Sequence, residues 1–254
     1  MVSSLNSKSS LLFIVEGATT EPRIIRKICS IVGSHDFNIY SYKTSIYELY
    51  DELKVDKDLD LLMLLREKET DQSKKALFDH HYYRIYLIFD YDPHYQKFDH
   101  QKVIEMIRYF KDSSDQGKLF INYPMMESHR HLQLMPDRDF LNLTIKDIEI
   151  REYKQMVGDT SKYYDISKYN YDIVREMVAH HLIKYQFLLY GSKCLPEKEY
   201  FDHWSEEDDV RLACLQHDML SRGLLYVLNT SIFYVVDIRP KTFFNTVFSN
   251  YNLE

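Results

Sequence analysis

Three groups of acidic side chains in this chain are of the right type to share one site. Glu16 is followed by Gly17, Asp90 and Asp92 are separated by one residue, and Glu127 comes later. Hard divalent cations prefer oxygen ligands, and Mg²⁺ takes one or two carboxylates together with water and phosphate oxygens. A cation held in this way stabilises the charge that develops on a phosphoryl group and activates an attacking water. The residue types therefore point to metal-dependent chemistry on a phosphate ester.

Each acidic group follows a short apolar run. The runs cover residues 11–15, 85–89 and 119–121, and polar side chains follow each of them closely. Continuous apolar runs without alternation predict strands that are buried on both faces, as in a parallel sheet covered by helices. Residues 36–42 are a further strand candidate.

Helices are predicted between these strands. Pro22 opens the first helix, with Thr19 or Thr20 as its N-cap, and apolar residues recur at helical spacing within 24–31 and 99–110. Strands and helices in alternation indicate an α/β fold with an open, mainly parallel sheet flanked by helices. Because ligands bind beyond the carboxyl ends of the strands in such sheets, we expect the acidic groups to converge there.

The remaining segments read as helical. Residues 45–81 combine many leucines with many charges, which predicts a helical insertion between the first two acidic groups. Residues 142–225 also read as helical, most clearly at 171–190, and residues 232–236 are a strand candidate that would return to the core. The predicted division is a core at residues 1–130 and a mostly helical C-terminal region at residues 131–254.

Composition excludes several classes of protein. Lys and Arg number 32 against 39 Asp and Glu, and the resulting net charge of −7 argues against a protein that coats nucleic acid. The three cysteines are widely spaced without a CxxC pair, so a disulfide framework or thiolate zinc site is not expected and a cytoplasmic location is. No signal peptide is recognised, and no apolar run approaches the roughly 18–20 residues of a membrane span.

The acidic motifs resemble those of the Toprim (topoisomerase–primase) family. Residues 12–22, LFIVEGATTEP, are similar to the "EGxxTEP" form in RloB-like, AriB-like and OLD-type phage-defence proteins. Residues 88–92, IFDYD, resemble the DxD motif, and residues 122–127, NYPMME, are similar to the "NPxFE" segment of RloB-like proteins. The resemblance covers about residues 8–130 and implies a Toprim-like catalytic core that uses Mg²⁺ or Mn²⁺ in phosphodiester chemistry.

The resemblance also implies roles for individual residues. Glu16 would be the acid/base or metal-side carboxylate, Asp90 and Asp92 the metal ligands, and Glu21 and Glu127 secondary acidic residues on the metal side. Two departures stand out. The separation of 74 residues between Glu16 and Asp90 requires an insertion, and Met126 replaces the aromatic residue expected before Glu127. The placement of Glu127 is therefore the least defined.

Several other residues are candidates for substrate contact. His94 follows the DxD motif and could donate a proton or contact a phosphate. Residues 151–171 interleave cations, among them Lys154 and Lys162, with tyrosines, a combination found on surfaces that bind unpaired nucleic acid. A solvated helical face is the alternative for that segment. If the segment after Glu127 is helical, Glu127 and His131 share a face, with His129 nearby, which leaves a transition-metal site open.

Three functions remain open on the sequence. The first is a Toprim-like nuclease that hydrolyses RNA, tRNA among the candidates, or DNA in bacterial anti-phage defence. The second is a non-catalytic Toprim-like module that binds a partner in a defence complex. The third is a Toprim-like phosphotransfer or nucleotide-hydrolysing enzyme that acts on a small substrate. The resemblance suggests a companion ATPase, because the chain has no GxxxxGK[ST] motif of its own. The expected partners are nucleic acid, this ATPase and, as an open alternative, further copies of the chain in a homo-oligomer.

Overall fold

A mainly parallel sheet forms the centre of the molecule. The computed structural model describes residues 10–55, 60–202 and 204–238, together with Asn245. The strands are β1 (Ser10–Val15), β2 (Phe37–Ser41), β3 (Tyr82–Asp90), β4 (Lys111–Asp112), β5 (Gly117–Tyr123), β6 (Thr144–Lys146), β7 (Leu224–Tyr226) and β8 (Leu228–Asn229). Strands β2, β1, β3 and β5 are parallel neighbours in that order, and the short strands β4 and β8 pair antiparallel with β5. The predicted α/β class is therefore confirmed at this level.

Helices flank this sheet and make up most of the remaining regular structure. The α-helices are α1 (Thr20–Val32), α2 (Ile46–Val55), α3 (Leu61–Lys68), α4 (Gln72–Lys75), α5 (His100–Tyr109), α6 (Tyr153–Thr160), α7 (Tyr171–Tyr190), α8 (Lys198–Asp202), α9 (Glu206–Leu220) and α10 (Tyr234–Ile238). Short 3-10 helices cover Ala76–Asp79, Met126–Arg130, Asp139–Asn142, Asp147–Glu152, Ile166–Lys168 and Ser231–Phe233. None of the helices in the described part of the chain has the length and apolar character needed to cross a membrane.

The three apolar runs of the sequence form the buried strands. Every residue of β1 is buried, and so are five consecutive residues of β3, Ile85–Phe89. Helix α1 packs its apolar stripe, including Ile24 and Ile28, into the same core. Thr19 is the N-cap of α1, although its side chain makes no capping hydrogen bond. Burial on both faces is the reason that these strands lack the alternation of a half-exposed strand.

The predicted helical insertion is present, with its own contacts to the core. Within residues 45–81 lie α2, α3, α4 and one 3-10 helix, while residues 56–59 fall outside the described part. Leu49, Leu53 and Leu65 of this insertion are buried in the main hydrophobic cluster. The insertion therefore belongs to the same core as the sheet.

One prediction for the C-terminal region is confirmed in the main, and one is wrong. Residues 142–225 are mostly helical, as predicted, and contain α6 to α9, but β6 and β7 pair antiparallel at the two ends of this range. Residues 232–236 form the end of a 3-10 helix and most of α10, and the segment that returns to the sheet is β8, just before them. Residues 232–236 are buried throughout, so a continuous apolar run there fits a buried helix as well as a strand.

Lys184 of α7 is a buried cation that ties α7 to the chain before β6. Its Nζ donates 2.7 Å hydrogen bonds to the carbonyl oxygens of Phe140 and Leu143, and burial lowers its pKa well below the usual value. We expect Lys184→Ala to lower the free energy of unfolding by about 2–4 kcal/mol, because two buried carbonyl groups lose their donor. Urea denaturation measures this, with exposed Lys193→Ala as the control. Equal stabilities of the two variants would contradict the expectation.

Candidate functional site

The site lies at the carboxyl ends of three adjacent parallel strands. In the sheet register Val15 is opposite Ile88, and Asp90 is opposite Asn122. Glu16 directly follows β1, Asp90 ends β3, and Asp92 lies two residues beyond it. The strand order thus brings Glu16 and Asp90 side by side, as the sequence predicted for strand ends in a parallel sheet.

Two cavities meet at these carboxylates. The first, of about 330 Å³, and the second, of about 290 Å³, are both lined by Glu16, Asp90 and Asp92. The first extends towards the insertion, where Lys43 and Tyr47 line it. The second extends towards the C-terminal region, where its lining includes His94, Met125 and Arg151. The three carboxylates therefore stand between two recesses, with a cationic side chain in each.

Burial and mutual repulsion raise the pKa values of Glu16 and Asp90. Burial raises the pKa of Glu16 to about 7, with Glu21 and Asp92 adding negative charge and a hydrogen bond from the Asp90 backbone N–H acting in the opposite direction. Burial also raises the pKa of Asp90 well above its usual value, and Glu16 and Glu21 reinforce this shift. Such shifts mean that negative charge at this edge of the sheet is incompletely compensated by the protein.

Asn122 of β5 fixes the orientation of Asp90. Its Nδ2 donates a 3.3 Å hydrogen bond to Asp90 Oδ1, and its Oδ1 accepts one of 3.2 Å from the Ser231 backbone. Asn122 is fully buried, so its amide cannot turn towards water. Strand β5, which lies beside β3 in the sheet, thereby holds the Asp90 carboxylate in a fixed direction.

Gly17 and Glu21 pack against each other in the turn between β1 and α1. The Glu21 carboxylate accepts hydrogen bonds from its own backbone N–H and from that of Gly17, and burial raises its pKa. A Cβ atom on Gly17 would come within 2.8 Å of Glu21 Cδ. The missing side chain at Gly17 is what allows Glu21 to fold over the turn beside Glu16.

Gly17→Ala is expected to displace the Glu21 carboxylate and to lower the free energy of unfolding by about 1 kcal/mol, since this flexible side chain can move aside but loses its hydrogen bonds to the turn. Thermal or urea denaturation measures this change. Glu21→Ala removes the clash, so Gly17→Ala should cost clearly less in that background. A cost that is the same in both backgrounds would show that Glu21 is not the obstacle.

Glu127 belongs to the acidic group but is paired within the protein. It is 3% exposed, and its Oε1 lies 3.0 Å from Lys154 Nζ and 3.9 Å from Arg130 Nη2. Lys154 also donates a 3.2 Å hydrogen bond to Thr20 Oγ1 at the start of α1. Glu127 is not among the residues that line the two carboxylate cavities. The structure thus pairs a predicted metal-side residue with a predicted substrate-binding residue, and links both to the turn after β1.

The other candidates for substrate contact, His94 and Lys162, do not lie together. His94 lines the second cavity, and its Nε2 lies 3.0 Å from Asp147 Oδ1. Lys162 is exposed after α6 and lines neither carboxylate cavity.

His129 and His131 are buried on the far side of Glu127 and are committed to other contacts. The segment is a 3-10 helix, so the α-helical relation between Glu127 and His131 does not arise. The two His129 ring nitrogens lie 2.7 Å from the Met126 carbonyl and 3.0 Å from the Tyr169 hydroxyl. Burial lowers the pKa of His129 to about 3 and that of His131 to about 4. These side chains are packed as neutral core residues.

Two residues that line the first cavity, Lys43 and Tyr47, are not predicted from the sequence. Lys43 follows β2, has a φ of 66°, and donates its backbone N–H to the Glu16 carbonyl at 3.1 Å. Tyr47 at the start of α2 is buried and stacks on Tyr95 with a 5.6 Å separation of ring centres. Burial raises the pKa of Tyr47, and the Tyr91, Asp92 and Glu16 charges add to the shift. Neither residue belongs to a recognisable motif, because the turn after β2 alone brings them here.

The residues present are compatible with a hard divalent cation. Among the described residues, no three His, Cys, Asp or Glu side chains already form a group that could hold a metal ion. Mg²⁺, however, needs only one or two carboxylates and completes its shell with water and substrate oxygens. Glu16 and Asp90 supply oxygen ligands whose shifted pKa values show a shortage of positive charge. The chemistry of the donors therefore suits Mg²⁺ or Mn²⁺, and Asp92 lines the same cavities.

Comparison of the chain with family models, with curated proteins and with solved structures finds no match.

Proposed function

We propose that this protein is a Mg²⁺- or Mn²⁺-dependent nuclease of Toprim type that hydrolyses phosphodiester bonds in RNA or DNA. One observation supports the proposal above the others. Glu16, Asp90 and Asp92 line both of two cavities, and a basic residue lines each cavity as well, Lys43 the first and Arg151 the second. A nucleic-acid strand laid across the strand ends would place one phosphate over the carboxylates and its neighbours near the two cations.

In this proposal, Asp90 and Asp92 hold the cation and Glu16 lies beside it. The bound cation would stabilise the charge that develops on the phosphoryl group and lower the pKa of a water. Glu16 would be ionised beside the cation, and its carboxylate could then orient the attacking water or accept its proton. Asn122 keeps Asp90 oriented, because its Nδ2 donates to one Asp90 oxygen and leaves the other free for a ligand.

Other residues contact the substrate rather than the cation. Lys43 and Arg151 are exposed at the cavity walls and bind flanking phosphates, which offsets the repulsion between an anionic substrate and an acidic protein. His94, held 3.0 Å from Asp147, faces the second cavity and can donate a proton to the departing oxygen. Lys154 contacts Glu127 and Thr20 and so positions Glu127 against the start of α1.

The biological setting that we propose follows the sequence resemblance. The three motifs resemble those of RloB-like, AriB-like and OLD-type proteins, so the nuclease would act in the cytoplasm as an effector of bacterial anti-phage defence. A companion ATPase would supply the trigger, because the chain has no Walker A motif. tRNA is one of the substrates to be tested first.

A second candidate function is a non-catalytic module that binds a partner protein. It is favoured by the acidic net charge of −7, and by the absence, among the described residues, of a preformed group of three metal-binding side chains. In that case the acidic strand ends would serve folding or metal-dependent docking.

One experiment separates the two functions. The purified chain is incubated with tRNA, single-stranded DNA and plasmid, each with Mg²⁺, with Mn²⁺ and with EDTA. We expect cleavage of at least one substrate that requires the cation and is lost in Glu16→Gln. Cleavage that persists in EDTA would contradict the metal-dependent mechanism. Binding of Mn²⁺ without cleavage of any substrate would favour the non-catalytic module.

A further inference from the structure

A third cavity adjoins the site on the side of the C-terminal region. It has a volume of about 460 Å³ and lies along α6, and its lining includes Arg151, Lys154, Gln155, Gly158 and Tyr164. This volume falls within the range of about 300–1,000 Å³ that is usual for ligand cavities. Arg151 also lines the second carboxylate cavity. The two recesses therefore share Arg151 as a lining residue.

Tyr164 forms an aromatic wall of this third cavity. Its side chain is 44% exposed, although it is held from behind by Arg130, which is 2% exposed. The Arg130 guanidinium carbon lies 4.3 Å from the centre of the Tyr164 ring, and Arg130 Nη1 donates a 2.8 Å hydrogen bond to the Tyr164 carbonyl oxygen. A buried cation thus fixes both the backbone and the ring of an aromatic residue that remains open to solvent.

Helix α6 runs close to this ring because residue 158 is a glycine. A Cβ atom at Gly158 would come within 3.3 Å of the Tyr164 ring, which is tighter than an ordinary contact. The ring therefore sits against the helix, and a solvent-exposed tyrosine is kept in one place at little further cost in conformational entropy.

The polar lining supplies both a cation and hydrogen-bonding groups. Arg151 is exposed and forms no ion pair with another residue in the described part of the chain. Glu152, Gln155 and Asp159 line the cavity near it and can pair with the edge of a base. An aromatic face, a cation and several acceptors within one recess are the elements of a site for a nucleotide.

We propose that this third cavity binds one unpaired base of a single-stranded nucleic-acid substrate, next to the phosphate that lies over the carboxylates. The proposal rests on the proposed function and names the substrate class of that site. Tyr164 would stack on the base, and Arg151 would bind the phosphate between the two cavities. In a duplex both faces of each base are covered and its edge is paired, so only an unpaired nucleotide can enter.

The test uses the full chain and fluorescein-labelled oligonucleotides of about 16 nucleotides, in ribose and deoxyribose forms, either single-stranded or as stable blunt duplexes. Fluorescence anisotropy in EDTA measures binding without cleavage. We expect the single strands to bind at least about fivefold more tightly than the duplexes, and Tyr164→Ala to lose about fivefold or more in affinity, because stacking on an aromatic ring contributes about 1–3 kcal/mol per base. Tyr164→Phe keeps the ring and should bind within twofold of the unaltered chain.

Tyr83→Ala provides the matched control, because Tyr83 is 43% exposed and lies near the opposite end of β3. Its affinity should be unchanged. Equal binding of duplex and single strand, or an equal effect of the two alanine variants, would overturn the proposal. Loss of affinity in Tyr164→Ala with either sugar supports it, and the preferred sugar then tells RNA from DNA.

The outcomes keep the two proposals apart. Binding of single strands that depends on Tyr164, in a chain that cleaves nothing with Mg²⁺ or Mn²⁺, would overturn the nuclease and support the base site. Metal-dependent cleavage with the same rate in Tyr164→Ala, and without preference for unpaired substrate, would support the nuclease and overturn the base site.

Discussion

Asp90→Asn is expected to reduce metal-dependent cleavage by about 10²–10³-fold and to raise the melting temperature of the metal-free protein at pH 8. The loss of cleavage is of the size seen when one preorganised electrostatic contact to the transition state is removed. The stabilisation has a separate cause. Burial and the neighbouring Glu16 and Glu21 raise the pKa of Asp90, so its charged form is a cost to the folded state.

The amide of asparagine keeps the shape of this side chain and removes its charge. Its oxygen can still accept the hydrogen bond from Asn122 Nδ2 that Asp90 Oδ1 accepts. We expect a gain of about 1–2 kcal/mol, which corresponds to roughly 2–8 °C for a chain of this size. A site that has lost activity but gained stability indicates a functional cluster, because a substitution in an ordinary core costs stability.

Differential scanning fluorimetry and the cleavage assay together measure this prediction. Asp115→Asn is the control, since Asp115 is exposed in the turn between β4 and β5, at the opposite end of β5. Asp115→Asn should change neither the rate of cleavage nor the melting temperature. Unaltered cleavage in Asp90→Asn would remove Asp90 from the mechanism, and a lower melting temperature would show that its charge is compensated in a way the structure does not indicate.

Affinity for Mn²⁺ is expected to rise steeply with pH and to level off above about pH 7. Burial raises the pKa of Glu16 from 4.5 to about 7, so below this value a proton occupies the carboxylate and competes with the cation. Each unit of pH below 7 should then weaken binding about tenfold for the proton that is released. Asp90 has a raised pKa as well and makes the dependence steeper if it also releases a proton.

The same pKa shift of Glu16 determines how folding stability changes with pH. The folded chain binds the Glu16 proton more tightly than the unfolded chain, so this group favours folding below pH 4.5 and opposes it as pH rises through about 7. Mn²⁺ should therefore stabilise the protein more at pH 8 than at pH 6. The largest rise in melting temperature on addition of Mn²⁺ is expected at the pH values at which ionised Glu16 destabilises the metal-free protein.

Titration calorimetry or electron paramagnetic resonance of Mn²⁺ between pH 5.5 and 8.5 measures the affinity. Glu16→Gln should bind Mn²⁺ more weakly at pH 8 and with a shallower pH dependence. Glu67→Gln is the matched control, because Glu67 is an exposed carboxylate on α3. A flat pH dependence in the unaltered chain would contradict the assignment of Glu16 to the metal site.

The location of the acidic site could be predicted from the sequence, and the physical reason is local. Residues 11–15, 85–89 and 119–121 are apolar without alternation, so each had to be a strand buried on both faces. Parallel strands joined by helices end at the same edge of the sheet. The side chains that follow them, Glu16 and Asp90, therefore had to meet once the strands became neighbours.

Where a segment is buried on every side, the sequence pattern was ambiguous. Residues 232–236 are as apolar as the strands, yet they form helix, and the strand that returns to the sheet is β8 at residues 228–229, which pairs with β5. An apolar pattern indicates burial but not backbone conformation. Residues 228–229 are extended because they pair with β5.

The sequence by itself determined the strands β1, β2, β3 and β5, the helices α1, α5 and α7, and the edge of the sheet at which Glu16, Asp90 and Asp92 gather. Only the tertiary structure decided what surrounds them. Lys43, Tyr47 and Arg151 reach the cavities from separate parts of the chain. Periodicity and local motifs describe neighbours along the chain, whereas the pairing of side chains across long loops depends on how whole elements pack. The acidic strand ends were therefore readable in the sequence, and the cavity walls around them were not.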